Sequence, residues 1–238
     1  MTIDSTQPGP QSSGPTRHVL LAIVIMYFVF AVLIVLEAGN HQTRGWIYVG
    51  VFFASAVIFT ISLFIWNTEL ASRRTFGGGL GTETWDLIWL VVFAPILYIL
   101  LFSAVREFDT PAGDLRLSGI TWLSGLAIYV SGWTLFTWSG VSNPFFEKTV
   151  RIQTEVEHRV VDSGPYSIVR HPGYVGFIII FLATPLLLPS RWICILSLVA
   201  ALLIVIRTAL EDRTLRAGLP GYAEYATSVR FRLFPGIW

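Results

Sequence analysis

Four stretches of this chain, at 19–38, 46–66, 85–105 and 119–141, are apolar over 20 residues or more. A helix needs about 20 apolar residues to cross a hydrocarbon core about 30 Å thick. No other feature restricts the fold as much. Inside a bilayer every backbone polar group must find its partner within the protein, which leaves helices or closed barrels. Two shorter apolar runs follow at 172–189 and 192–210, joined only by Ser190 and Arg191. So short a link demands a tight helical hairpin. Pro189 ends its first arm, because proline cannot continue a helical hydrogen-bond ladder. Trp46, Trp66, Trp85 and Trp192 stand at run ends, where an aromatic belt would place them. The expected fold class is all-α: a polytopic integral membrane protein of about six transmembrane helices with a C-terminal helical hairpin.

Composition agrees with one membrane domain. Of the 238 residues 54% are hydrophobic and 13% charged, against about 25% charged in soluble domains. A net charge of +1 gives no reason to expect a nucleic-acid partner. The single cysteine, Cys194, lies in an apolar run and excludes an internal disulfide. One cysteine and four histidines do not assemble a metal site by spacing, so no metal is expected.

The basic residues predict an orientation. With six spans, one side receives twelve of the sixteen Lys and Arg residues, and Arg44, Arg106, Arg116 and Arg191 fall on the other. The positive-inside rule then makes both termini cytoplasmic, together with the 142–171 connection. The expected location is a bacterial inner membrane, with the active site on its cytoplasmic face. Residues 1–16, rich in Pro, Ser, Gly and Gln, read as a disordered cytoplasmic tail and not as a secretory leader. Residues 17–141 would hold four transmembrane helices, and 142–238 a catalytic region. The C-terminal alternation Arg230-Phe231-Arg232-Leu233-Phe234 suits a segment at the membrane interface.

Two clusters on that side carry chemistry. The first is Ser163-Gly164-Pro165-Tyr166 followed by Val169-Arg170-His171-Pro172-Gly173-Tyr174-Val175-Gly176. Pro172 suits the first position of a helix, which puts His171 at the cap with Arg170 just outside. Free N–H groups at a helix start, with Arg170, make a site for an anionic group. The same residues also suit simple anchoring at headgroup level. The second cluster is Arg207-Thr208-Ala209-Leu210-Glu211-Asp212-Arg213. Arg207 and Glu211 share one helix face, and ionisable residues at a membrane helix end are candidate site residues. A solvated helix end gives the same pattern. A hairpin would bring His171 and Glu211 to the same end. By contrast, Gly77-Gly78-Gly79-Leu80-Gly81 lacks the strand and the Lys-Ser/Thr of a phosphate loop and reads as a linker.

Gln153, His158-Arg159-Val160-Val161-Asp162-Ser163-Gly164-Pro165-Tyr166 and the Arg170-His171-Pro172-Gly173-Tyr174 run together resemble the isoprenylcysteine carboxyl methyltransferase family, which is related to the phospholipid N-methyltransferases. The apolar hairpin and the later Arg207, Glu211-Asp212, Gly221-Tyr222 and Pro235 extend the resemblance over about 145–236. It implies S-adenosylmethionine as cofactor, without a Rossmann domain. On matching positions His158, Val160, Gly164, Tyr166, Arg170, His171, Pro172 and Tyr174 would contact that cofactor. Arg207, with Glu211 or Asp212, would line the reaction centre, and His171 is a further catalytic candidate. The family often has two glutamates where this chain has Glu211-Asp212. The expected function is an integral membrane methyltransferase acting on a lipophilic or small thiol or carboxylate acceptor, with membrane lipid as surroundings. The competing readings are an NADPH-dependent sterol or enone reductase, and a transporter.

Overall fold

Residues 43–76, 81–105 and 118–238 are described by a computed structural model, and the regular structure among them is entirely helical. The expected first span at 19–38 and tail at 1–16 lie outside these residues. In chain order the helices are α1 (Thr43–Trp66), α2 (Thr68–Phe76), α3 (Thr84–Val105), α4 (Gly119–Ser142), α5 (Pro172–Leu187), α6 (Arg191–Gly218) and α7 (Tyr222–Ser228). Two single 3₁₀ turns, Thr154–Val156 and Gly164–Ser167, interrupt the connection between α4 and α5.

Four of these helices are long and apolar enough to cross a membrane: α1, α3, α4 and α6. The run expected as a fifth span is shorter. Helix α5 has 16 residues, or about 24 Å at 1.5 Å per residue. Pro172 opens it, and the chain leaves it at Leu188, whose N–H still bonds to Thr184 O at 2.9 Å. Residues 188–190 then turn the chain into α6. The linker pattern before 81 did not foretell α2. That helix follows α1 after the single residue Asn67.

Helix α5 sits between α4 and α6, while α3 packs on α6 and α1 on α4. Lipid supplies no hydrophobic drive between helices, so close packing of small residues must do so. Gly132 and Gly176 do this between α4 and α5. A Cβ on Gly132 would lie 2.8 Å from Gly176 O, and one on Gly176 2.7 Å from Gly132 O. Outward-facing side chains such as Ile58, Ile88, Val91, Leu123 and Leu202 are exposed and apolar, as a lipid-facing surface requires.

At one end of the bundle the loops fold inward. Asn67 Nδ2 donates to Gly140 O at 3.3 Å and to Asn143 O at 3.2 Å. It thus satisfies carbonyls that the end of α4 leaves unpaired. The 143–171 connection is held against this end. The C-terminal tail covers it from the other side: Leu233 is buried, and Phe231, Phe234 and Trp238 pack on the main core. The apolar positions of the tail's alternation therefore contact protein.

Candidate functional site

The start of α5 forms as the Pro172 signal predicts. His171 is the N-cap, with φ −127° and ψ 61°, and Pro172 occupies the first turn. The preceding backbone pairs with the tail: Arg170 N–H donates to Phe231 O at 3.0 Å and His171 N–H to Arg232 O at 2.9 Å. The His171 side chain makes no cap bond. Its Nε2 instead lies 3.3 Å from Tyr222 Oη and 3.5 Å from Asp212 Oδ1.

Asp212, one residue beyond Glu211 on α6, is the hub of this end. It is 0% exposed. Its Oδ1 accepts from Arg170 Nε at 2.7 Å and from Tyr222 Oη at 3.1 Å. Its Oδ2 accepts from Arg232 Nε at 2.9 Å and Arg216 Nε at 3.0 Å. Burial raises the Tyr222 phenol, and the charges of Asp212 and Glu211 raise it further, so it remains a proton donor. Arg170 Nη1 completes the knot with 2.7 Å bonds to Val229 O and Arg230 O. The guanidinium expected to hold an anionic ligand is thus already bound to Asp212 and two carbonyls.

Above the hub lies a cavity of about 370 Å³. The structure brings most of the expected site residues to its wall: His158, Val160, Tyr166, Arg170, His171, Tyr174, Arg207 and Glu211. It does not bring Asp212, Gly164 or Pro172 there. Asp212 lies beneath the wall, and Pro172 is buried in the first turn of α5. Gly164 has φ +58°, a conformation that favours glycine, and starts the turn that carries Tyr166 into the wall. Tyr166 Oη donates to Ser139 O at 3.3 Å, and Tyr225 Oη to Tyr166 O at 2.7 Å.

The two adjacent carboxylates of α6 therefore differ. Asp212 is locked among cations. Glu211 keeps a side chain 22% exposed, faces the cavity, and accepts a hydrogen bond from Tyr174 Oη. His171 Nδ1 is 3.8 Å from Glu211 Oε1. Successive residues on a helix point about 100° apart, which is why neighbours in sequence meet different surroundings.

Two further residues matter to which the sequence reading gave no role: Gln153, which entered only within the resemblance, and Asp86, which was not singled out. Gln153 is 2% exposed and lines the cavity. Its Nε2 donates to Phe145 O at 2.8 Å, while its Oε1 is buried without a partner among the described residues. A buried acceptor with no donor is costly unless a ligand supplies one. Asp86, in the first turn of α3, is 0% exposed. It holds Arg207 through Nε at 2.8 Å and Nη2 at 3.1 Å, and accepts Val150 N–H at 2.8 Å. The only signal for Asp86 was a carboxylate at the edge of an apolar run, which also suits an ordinary helix start.

The cavity has two characters. Gln153, Arg207, Glu211, His158 and Arg170 make one part polar. Trp89, Leu90, Phe93, Ala94 and Leu97 of α3, with Phe177 of α5, make the other apolar. Ala94 is itself exposed, so this apolar part reaches toward the outer face of α3. Among the described residues, no group of three or more His, Cys, Asp and Glu side chains is placed to hold a metal ion.

Comparison with known proteins bears on the same region. Residues 127–217 match the isoprenylcysteine carboxyl methyltransferase (ICMT) family. The chain is also similar to a cobalt-zinc-cadmium resistance protein, CzcN, of Cupriavidus metallidurans, 33% identical over 144 residues. That match takes in 58% of this chain and 58% of the relative, so the chain spans little more than half the length of the curated protein it resembles. The family match includes α5, most of α6 and the 143–171 connection; it leaves out α1, α2 and α3.

Proposed function

We propose, on the premise that residues 127–217 are an isoprenylcysteine carboxyl methyltransferase family region, that this chain is an integral membrane methyltransferase using S-adenosylmethionine. The observation that carries the reading is the two-part cavity, with the buried, unpartnered Gln153 Oε1 in its polar part. The cofactor has what this polar part lacks. Its adenine amino group is a donor for Gln153 Oε1. Its sulfonium is a cation suited to Glu211 and to the aromatic faces of Tyr174 and Trp89. A cavity of about 370 Å³ takes one ligand of that size.

When bound, the cofactor supplies an electrophilic methyl group. What this chain's residues supply is alignment, which governs the rate of a displacement. Arg207 bonds to Asp86 and Lys148 through Nε and Nη2, and its guanidinium, on the cavity wall, orients an oxygen of the acceptor, a carboxylate for example. If the nucleophile arrives protonated, as a thiol or ammonium group, Glu211 is the base within the cavity: its carboxylate takes the proton, and the hydrogen bond it accepts from Tyr174 Oη orients it. His171, held by Tyr222 and Asp212, orients this wall from behind. The apolar part along α3 excludes water from the reacting end and receives a lipophilic acceptor from between the helices. The twelve of sixteen Lys and Arg residues that a six-span reading places on the same side as the 142–171 connection support a cytoplasmic position for the site.

Isothermal titration of detergent-purified protein with S-adenosylhomocysteine tests this reading. Micromolar binding is expected, weakened about tenfold in Gln153→Ala by loss of one buried hydrogen bond. Absence of binding to folded protein refutes the reading. Transfer of radiolabelled methyl groups into lipid extracts or small thiols then identifies the acceptor class.

A further inference from the structure

We infer that Asp86 is a positioning residue that neutralises Arg207, so that the cavity accepts a cation beside a guanidinium. The inference rests on the methyltransferase reading and names a residue outside the matched region 127–217.

Arg207 lines the cavity and is 7% exposed. Its guanidinium lies 4.4 Å from the centre of the Trp89 ring and 5.6 Å from that of Tyr174. A cationic sulfonium in the same cavity meets this charge through a medium of low dielectric, where repulsion costs far more than in water. Asp86 removes the difficulty. Its two oxygens take Nε and Nη2 of Arg207 in a bidentate pair, and Lys148 O takes Nη2 as well at 2.7 Å. The pair is neutral, and the guanidinium still lines the cavity. Glu211, four residues beyond Arg207, adds a second carboxylate to the same cavity.

Helix α3 supplies this cradle from one face. Asp86 grips the guanidinium in its plane and Trp89, three residues on, covers its face. Trp89 is itself fixed by a 2.8 Å bond from Nε1 to Leu203 O on α6. Asp86 also seats the cavity wall. Val150 N–H donates to its Oδ2 at 2.8 Å, and Glu83 N–H donates to Val150 O at 3.0 Å.

The test compares a charged ligand with its neutral counterpart. Asp86→Asn keeps the size of the side chain and an acceptor for Val150 N–H, but removes the charge. Titration of wild type and variant with S-adenosylmethionine and with S-adenosylhomocysteine gives the ratio of the two affinities. The variant is expected to lose roughly tenfold for the sulfonium and less than about twofold for the thioether. The double variant Asp86→Asn, Arg207→Gln is expected to restore the ratio. Equal weakening of both ligands, or a ratio that the double variant leaves shifted, assigns Asp86 a purely structural part and overturns the inference. If Asp86→Asn does not purify, Arg207→Gln alone decides: an unpaired Asp86 should shift the ratio toward the sulfonium, and no shift overturns the inference. Wild-type protein that binds neither ligand refutes the methyltransferase reading, and the inference with it. Binding of both with an unchanged ratio in the variants refutes the inference alone.

Discussion

Arg170 Nε donates to Asp212 Oδ1 at 2.7 Å across a sequence separation of 42 residues, tying the start of α5 to the end of α6. Both side chains are buried. The same carboxylate gathers Arg216, Arg232 and Tyr222, so this one contact draws the C-terminal tail over the cavity. It makes Asp212 a structural centre and leaves Glu211 as the carboxylate that faces the cavity.

That division predicts opposite signatures for the two residues. Asp212→Ala leaves the buried Arg170 guanidinium without its counter-ion, which costs about 3–5 kcal/mol. Thermal unfolding in detergent should fall by roughly 6–15 °C, and the 219–238 segment should become open to protease. Glu211→Gln should leave the melting temperature nearly unchanged and reduce methyl transfer. A Glu211→Gln protein that melts as early as Asp212→Ala would reverse the assignment.

The contact of α4 with α5 predicts a steric effect. Gly176→Ala places a methyl group where backbone atoms of α4 already lie, 2.7 Å from Gly132 O and 2.9 Å from Phe136 N. A loss of about 1–3 kcal/mol is expected. Gly50→Ala is the control, because nothing lies within 4 Å of a Cβ there. Since alanine is the better helix former, Gly50→Ala should be neutral or slightly stabilising.

The apolar part of the cavity predicts a separation of cofactor from acceptor. Leu97→Trp narrows the α3 end without touching the polar residues. Affinity for S-adenosylhomocysteine should stay within about twofold of wild type. Methyl transfer to an acceptor with a long apolar chain should fall, and transfer to a short thiol should not. Equal loss for both acceptors would place the acceptor elsewhere.

The buried phenols predict behaviour at high pH. Burial raises Tyr166, Tyr222 and Tyr225 above the ordinary value of about 10, and Asp212 raises Tyr222 and Tyr225 further. A raised folded value means that unfolding releases protons once pH exceeds the unfolded value. The stability held below about pH 10 is therefore lost as pH climbs. Thermal melts across pH 9–11 should show this decline, with a shallower slope in Tyr222→Phe. An identical slope would remove Tyr222 from the account.

Several of these features were legible before any tertiary structure. The helix starting at Pro172 and the cap at His171 follow from local backbone rules, and helical spans follow from runs of apolar residues. The polar clusters around Arg170-His171 and Arg207-Glu211 come together on the wall of one cavity. The number of spans was less legible, because apolar composition continues past Leu187, where α5 already ends. The different fates of Glu211 and Asp212 were not legible at all, since adjacent carboxylates look alike until their partners are known.

The sequence by itself determined that this chain is helical and suited to a membrane, and that polar residues gather at the start of one short helix. These properties depend on hydrophobicity and on backbone preferences within a few residues. Only the tertiary structure decided which charges neutralise one another. Asp86 meets Arg207 over a separation of 121 residues, and Asp212 meets Arg170 over 42. A buried ion pair is set by the geometry of packed helices and by exclusion of water, and neither quantity is carried by the local order of residues.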